Sequence, residues 1–320
     1  MRASYEGDSD DYPSSGTFDL TVSYGETVAC TPASVVVGRS TTCTATVTGA
    51  TKPTGKVTWS TSGSGKFSPS VCTLKDGSCS VSYTPTSASS SVILTASYQG
   101  GKQNPSHSGT FGLVVSQTTS TLKLTCSPSS VVVGTSKTIT CTAKLSGYLP
   151  TGSVTWSPST PGLVSLSHST CSLAKDTQTS SRCSVVLTVN DAGTFTMTAA
   201  YGGDSSNLGA SGVSKSITIK QVKTSLSVSC VSSGTNTWTC TSTLSHFYGS
   251  VAGETVTWSQ FSGKGTLSFS STTCYMLSSG SCSVTVTGTS KGTTVIQAVF
   301  AGDQSNHGSK AGKSLKVTSG

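Results

Sequence analysis

A chain of 320 residues exceeds one ordinary β-sandwich and predicts two or three domains. Charged residues make up only 10% of it, against about 25% in a typical soluble domain, so its surface must be built from Ser, Thr and Gly. The net charge of +8 is spread without a basic run or an interleaved aromatic platform, which argues against a nucleic-acid partner. No apolar stretch is long enough for a membrane span, and Met1–Asp8 is too polar for a signal peptide, so an export signal or anchor would lie outside this chain.

Val, Thr, Tyr and Trp alternate with Ser and Thr over short runs, and no helical spacing is sustained, so the prediction is all-β. The first feature in chain order is Tyr5-Glu6-Gly7-Asp8, an aromatic followed by a glycine turn. It returns as Tyr98-Gln99-Gly100-Gly101, Tyr201-Gly202-Gly203-Asp204 and Phe300-Ala301-Gly302-Asp303. Met1–Tyr5 aligns with Met197–Tyr201. Residues 1–22 therefore read as the last two strands of an incomplete domain, closing in Thr17-Phe18-Asp19-Leu20-Thr21-Val22. Two further anchors complete a repeat: Val-Thr-Trp-Ser at Val57, Val154 and Val256, and a later cysteine pair around a turn. The tryptophans, Trp59, Trp156 and Trp258, lie 97 and 102 residues apart, close to one seven-stranded sandwich. The predicted domains are 23–116, 117–220 and 221–320.

The second repeat shows the strand pattern most clearly. Leu122, Leu124 and Cys126 share one face, as do Ile139, Cys141 and Ala143. Val154 and Trp156 follow, then Cys183, Val185, Leu187 and Val189, then Phe195, Met197, Ala199 and Tyr201, and finally Ile217 and Ile219. The junctions Gln117-Thr118-Thr119-Ser120 and Lys220-Gln221-Val222-Lys223 contain no Gly or Pro and predict stiff connections. Ser23-Tyr24-Gly25-Glu26 includes a glycine and should bend more. Three domains end to end would form an extended rod on the order of 100 Å long.

Twelve cysteines fall four to a repeat: Cys30, Cys43, Cys72, Cys79; Cys126, Cys141, Cys171, Cys183; Cys230, Cys240, Cys274, Cys282. An even count at recurring positions reads as structural disulfides in an oxidising, extracellular setting. Pairing first with second and third with fourth is favoured, because each pair flanks a chain reversal and both members point inward. A bridge from the second to the fourth cysteine, across adjacent strands, stays open. A zinc site per repeat is the rival reading, but zinc ligands come as tight knuckles such as CxxC, which do not occur here.

Thr-Gly-x-Val-Thr-Trp at Thr54–Trp59 and Thr151–Trp156, the preceding Val-Val-Val-Gly, and Ala-x-Tyr-x-Gly-Asp together resemble the bacterial and archaeal immunoglobulin-like repeats (Big-type) of very large surface proteins. The resemblance covers essentially the whole chain and implies tandem Ig-like β-sandwiches in the stalk of an adhesin, a surface layer or a filament. Repeat three departs from it. Ser232-Ser233-Gly234 replaces Val-Val-Val-Gly, and Trp238 is added beside Cys240, which leaves its edge packing open.

No other constellation carries chemistry. His107, His168, His246 and His307 do not recur at matched positions, apart from His107 and His307, read as lying in equivalent loops. No Ser, His and Asp set converges, so an enzyme is not expected and no cofactor is implied. Asp8, Asp204 and Asp303 read as turn residues, since one carboxylate cannot cage calcium and repeat one has Lys102 where the aspartate would be. Asp10 and Asp11 add charge to the first copy. No Asn-x-Ser/Thr with a permitted middle residue occurs. The expected function is a structural segment of an extracellular, cell-surface stalk or filament. Its partners would be neighbouring repeats of the same chain or identical subunits. The alternatives are an adhesin gripping protein or glycan through loops or edge strands, and an accessory module of a secreted hydrolase.

Overall fold

Alternating side chains sort onto two sides of each strand, and the structure buries one side of nearly every strand in the three repeats. The computed structural model describes residues 1–19 and 21–318. It is almost entirely β, with one short 3-10 turn at Pro161–Leu163. The chain begins with a hairpin of β1 (Arg2–Tyr5) and β2 (Ser14–Thr17), whose residues are all exposed. Its second strand is shorter than the sequence suggested. Beyond the bond from the Phe18 N–H to the Met1 carbonyl, the described residues 18–24 form no strand, and Leu20 lies outside the described residues.

The first sandwich contains β3 (Gly25–Thr31), β4 (Ser34–Val36), β5 (Thr41–Thr48), β6 (Gly55–Thr61), β7 (Gly65–Ser68), β8 (Val71–Leu74), β9 (Ser78–Pro85), β10 (Ser89–Tyr98) and β11 (His107–Ser116). One sheet runs β3-β5-β9-β7 and the other β4-β11-β10-β6-β8. Along β5, Thr41, Cys43, Ala45 and Val47 point inward between exposed or half-buried threonines. Trp59, Tyr83, Leu94, Tyr98 and Leu113 complete that core, and burying a leucine side chain such as Leu94 or Leu113 contributes about 1.5–3 kcal/mol. Buried Thr41 is not an orphan, because its hydroxyl donates to the Pro32 carbonyl at 2.7 Å.

The second sandwich repeats the plan with β12 (Thr121–Ser127), β13 (Ser130–Val132), β14 (Ile139–Ser146), β15 (Ser153–Pro158), β16 (Val164–Leu166), β17 (Thr170–Ser172), β18 (Ala174–Thr177), β19 (Ser180–Val189), β20 (Gly193–Phe195), β21 (Met197–Tyr201), β22 (Ala210–Val213) and β23 (Ile217–Lys220). Its sheets are β12-β14-β19-β16, with β18 beside β19, facing β17-β15-β21-β22 and β13-β23-β20. The third has β24 (Ser225–Gly234), β25 (Thr237–Ser245), β26 (Thr255–Gly263), β27 (Thr266–Phe269), β28 (Thr273–Tyr275), β29 (Ser281–Ser290), β30 (Gly292–Gly302) and β31 (His307–Val317). These form β24-β25-β29-β27 and β28-β26-β30-β31. Each repeat has its own hydrophobic cluster. Tandem Ig-like β-sandwiches describe the chain.

How the first strand ends separates repeat three from the others. Pro32 and Pro128 follow β3 and β12, and proline has no N–H to continue a ladder. The chain then crosses to the opposite sheet, where β4 pairs in parallel with β11 and β13 with β23. Gly109 and Gly212 bring the strands close, since a Cβ there would sit 2.6 and 2.7 Å from the carbonyl oxygens of Glu26 and Leu122. Repeat three has no such proline, and Ala311 takes the glycine's register opposite Ala298. The edge of repeat three is therefore packed differently: β24 stays with β25 through Cys230↔Cys240 to Gly234↔Thr237, and no crossing strand forms among the described residues.

Candidate functional site at the domain junctions

The cysteines form six bridges: Cys30–Cys43, Cys72–Cys79, Cys126–Cys141, Cys171–Cys183, Cys230–Cys240 and Cys274–Cys282. The first bridge of each repeat joins directly opposed residues of the first two long strands. The second does not lie within a single hairpin of one sheet. Cys72 sits on β8 and Cys79 on β9, so it ties the two sheets together, as Cys171–Cys183 and Cys274–Cys282 do. The indole N–H of Trp59, Trp156 and Trp258 donates to the sulfur of Cys72, Cys171 and Cys274 at 3.3, 3.0 and 3.1 Å. Among the described residues, no three His, Cys, Asp or Glu side chains cluster as a metal site, and no helix is long and apolar enough to cross a membrane.

The recurring glycine-aspartate turn proves to be the principal construction at the junctions. Asp204 begins a tight turn in which its Oδ1 accepts the N–H groups of Ser206 and Asn207, both at 2.8 Å, and the Asn207 side-chain amide at 2.8 Å. Its Oδ2 accepts the Thr151 N–H at 2.8 Å and the Thr151 hydroxyl at 3.1 Å. Burial pushes this carboxyl up, but the donors from Thr151, Ser206 and Asn207 outweigh it and hold the group at about 2. Tyr201, beside it, has its hydroxyl pushed up first by burial and also by the Asp204 charge. That hydroxyl makes no hydrogen bond of good geometry. Asn207, with no exposed surface, then grips the loop before β15: its Oδ1 accepts the Tyr148 N–H at 2.7 Å and its Nδ2 donates to the Tyr148 carbonyl at 2.8 Å.

This braced turn reaches the preceding sandwich. The Thr118 N–H donates to the Ser206 carbonyl at 2.8 Å, and the Leu208 N–H returns a bond to the Thr118 carbonyl at 2.9 Å. Gln117 Nε2 donates to the Asp204 carbonyl at 2.6 Å. The Ala88 N–H reaches the Ser205 carbonyl at 3.1 Å, and the Ser206 hydroxyl reaches the Thr86 carbonyl at 3.1 Å. Gly38, with φ +78°, lies under Tyr148, and a Cβ there would stand 2.5 Å from its ring.

The second junction reproduces the first. Val222 exchanges backbone bonds with Ser305 and His307, both at 2.9 Å, and Gln221 Nε2 donates to the Asp303 carbonyl at 2.7 Å. The Ala192 N–H donates to the Ser305 hydroxyl at 3.0 Å. Asn306 holds Tyr248 as Asn207 holds Tyr148, and Tyr248 covers Gly134, where a Cβ would lie 2.6 Å from its ring.

Two alignments change on this geometry. Gly101, not Lys102, occupies the aspartate position of repeat one, since its N–H bonds the Asn104 carbonyl as that of Asp204 bonds Asn207. His107 and His307 are not equivalent: His107 faces Tyr98 across the ladder, as Ser309 faces Phe300. The top of the first sandwich thus lacks the clamping aspartate, and Pro105 removes the amide that Leu208 and His307 supply. Buried Asn104 Oδ1, Glu26 Oε1 and His107 Nε2 are left without partners there. The first hairpin does carry the braced turn, with Asp8 Oδ1 accepting the N–H groups of Asp10 and Asp11 at 3.0 and 2.9 Å.

No family model and no curated protein matches the chain. Among solved structures it is similar to FdeC, an Escherichia coli adhesin, at 14% identity over 93% of this chain and 100% of that one, with a TM-score of 0.31. It is also similar to a tetra-tandem repeat in the extending region of a large adhesion protein, at 16% identity over 92% and 74%, TM-score 0.38. Three Ig domains of titin give 14% identity over 93% and 97%, TM-score 0.28. Likenesses this weak carry no functional argument, and the fold stands on the chain's own sheets.

Proposed function

We propose that this chain is a stiff spacer: a segment of an extracellular cell-surface stalk or filament built from disulfide-stapled Ig-like repeats of the Big type. The domains would run 23–116, 117–220 and 221–320, and β1–β2 would serve as the closing strands of a similar unit. The observation that carries this reading is the duplicated junction. Backbone bonds in both directions, a glutamine-to-turn bond, and a tyrosine seated on a side-chain-free glycine recur at Thr118 and at Val222. A linker that served only to connect would not need such pinning, because a flexible coil suffices. Two bridges per sandwich, each worth roughly 2–3 kcal/mol on the chain-entropy model, suit a domain with little charge and few large apolar residues. Bridging both sheets also limits how far a loaded domain can extend. Small-angle X-ray scattering tests the reading. An elongated profile with a maximum dimension on the order of 100 Å or more is expected, and a compact profile would contradict it.

A further inference from the structure

We infer that the outward face of β12, β14 and β19 in the second sandwich is a binding site for an acidic polysaccharide, held by Lys123, Lys144 and Arg182. This contact goes beyond the spacer role and does not depend on it.

The strand register puts these three cations in one row. Lys123 stands directly opposite Lys144, and Lys144 directly opposite Arg182, with all three exposed. Like charges facing each other across strands are destabilising. The other two repeats avoid the arrangement: the same row is Thr27, Thr46 and Ser78 in the first sandwich and Ser227, Thr243 and Ser281 in the third. In a chain with only 10% charged residues, a cationic row in one repeat is a departure that folding does not require. One carboxylate answers it. Asp176 lies 3.0 Å from Lys144 Nζ and 3.5 Å from Arg182 Nε, which leaves a surplus of positive charge. Lys123 has no acidic partner among the described residues. A groove of about 780 Å³ at the first junction, lined by Lys144, Tyr148 and Arg39, continues the basic surface towards the first sandwich.

Charge calls for an anion, and spacing selects its kind. Adjacent strands set neighbouring cations about 4.8 Å apart, close to the length of one sugar unit. Same-side carboxylates of an extended acidic peptide recur at about 6.7 Å and fall out of step. Bases of a single-stranded nucleic acid stack on aromatic rings, and the outward positions of β12, β14 and β19 hold none. A bilayer takes up apolar side chains, and the one large apolar residue at those positions is Val186, two rows from the cations. Hydroxyls flank the row instead, from Thr121 and Ser146 on one side and Thr125, Thr142 and Ser184 on the other. These suit the hydroxyls of a sugar chain.

Isothermal titration calorimetry of the intact chain with a heparin oligosaccharide tests this, with an oligogalacturonate beside it to separate sulfate from carboxylate recognition. The expected result is saturable binding to one or both, weakened by salt. Lys123→Ser, Lys144→Thr and Arg182→Ser made together copy the row of the third sandwich and should weaken binding at least about tenfold. Lys310→Ser, Lys313→Ser and Lys316→Ser made together on β31 remove the same charge elsewhere and should leave binding within about twofold of the parent. Lys123→Ser alone breaks no ion pair, and a loss of about threefold is expected from it however the triple variants fold. No binding of either saccharide at low salt overturns the inference. So does full binding by the row variant, or an equal loss in the β31 variant. Tighter binding of poly-glutamate, single-stranded DNA or phosphatidylglycerol vesicles than of a saccharide of equal charge overturns it too.

Discussion

Tyr148 and Gly38 belong to different sandwiches, and their contact exists because one of them has no side chain. The backbone at Gly38 has φ +78°, and a methyl group there would meet the Tyr148 ring at 2.5 Å. Tyr248 and Gly134 repeat the arrangement at φ +75° and 2.6 Å. Gly38→Ala therefore adds two penalties, a left-handed backbone bearing a Cβ and a clash across the junction. The expected cost is about 1–3 kcal/mol, localised to the junction. Limited proteolysis should cut faster within residues 117–120 while far-ultraviolet circular dichroism stays native.

Asn207 is the residue through which the turn and the tyrosine loop become one body. Asn207→Ala leaves the half-buried Tyr148 N–H and carbonyl without their partner, which should cost about 1–3 kcal/mol in denaturant unfolding. Asn306→Ala should cost the third sandwich a similar amount. Asn104→Ala should cost less, because Asn104 Oδ1 has no partner to lose.

Two carboxylates should respond to pH in opposite directions. Asp204 is held at about 2, below its ordinary value of 3.8. Its contribution is fully present above that ordinary value and is lost as pH falls towards 2. Asp204→Asn should remove this part of the acid sensitivity, read as a flatter melting temperature between about pH 4 and pH 2. Glu26 is raised instead: burial pushes it up, and the Tyr98 N–H holds it only partly down. It favours the fold below its ordinary value of 4.5, and that contribution disappears as pH rises through the raised value. Leu122 and Leu226 occupy the same register, four residues before the first cysteine. Glu26→Leu should therefore raise the melting temperature of the first sandwich at neutral pH, with the gain shrinking in acid.

The inter-sheet bridge is the next test of stability. Replacing Cys72 and Cys79 together by alanine should destabilise the first sandwich by roughly 2–3 kcal/mol. It also removes the sulfur that accepts the Trp59 indole N–H. A shift in tryptophan fluorescence should accompany the loss in equilibrium unfolding.

Strand positions were legible because one face of each strand must be apolar: Ile139, Cys141 and Ala143 declare β14, and Phe195, Met197, Ala199 and Tyr201 declare the strands around them. The junction was not legible. Its parts, Gly38, Gln117, Tyr148, Asp204 and Asn207, are scattered along the chain, and each has an ordinary local explanation as a turn or a polar surface residue. A signal was present in their joint recurrence as Gly134, Gln221, Tyr248, Asp303 and Asn306, and in their joint failure at Gly101 and Pro105. The inter-sheet path of Cys72–Cys79 was hidden for a different reason. Sequence spacing shows a reversal but not which sheet each arm joins.

In the proposed spacer, residues 117–120 and 220–223 hold the three sandwiches as one stiff body. Residual dipolar couplings of backbone amides, measured on the intact, deuterated chain in a dilute aligned medium, test it most directly. Couplings from the proposed domains 23–116, 117–220 and 221–318 are expected to fit a single alignment tensor. A separate tensor of reduced magnitude for any one of them would show a working hinge at its junction and contradict a stiff spacer.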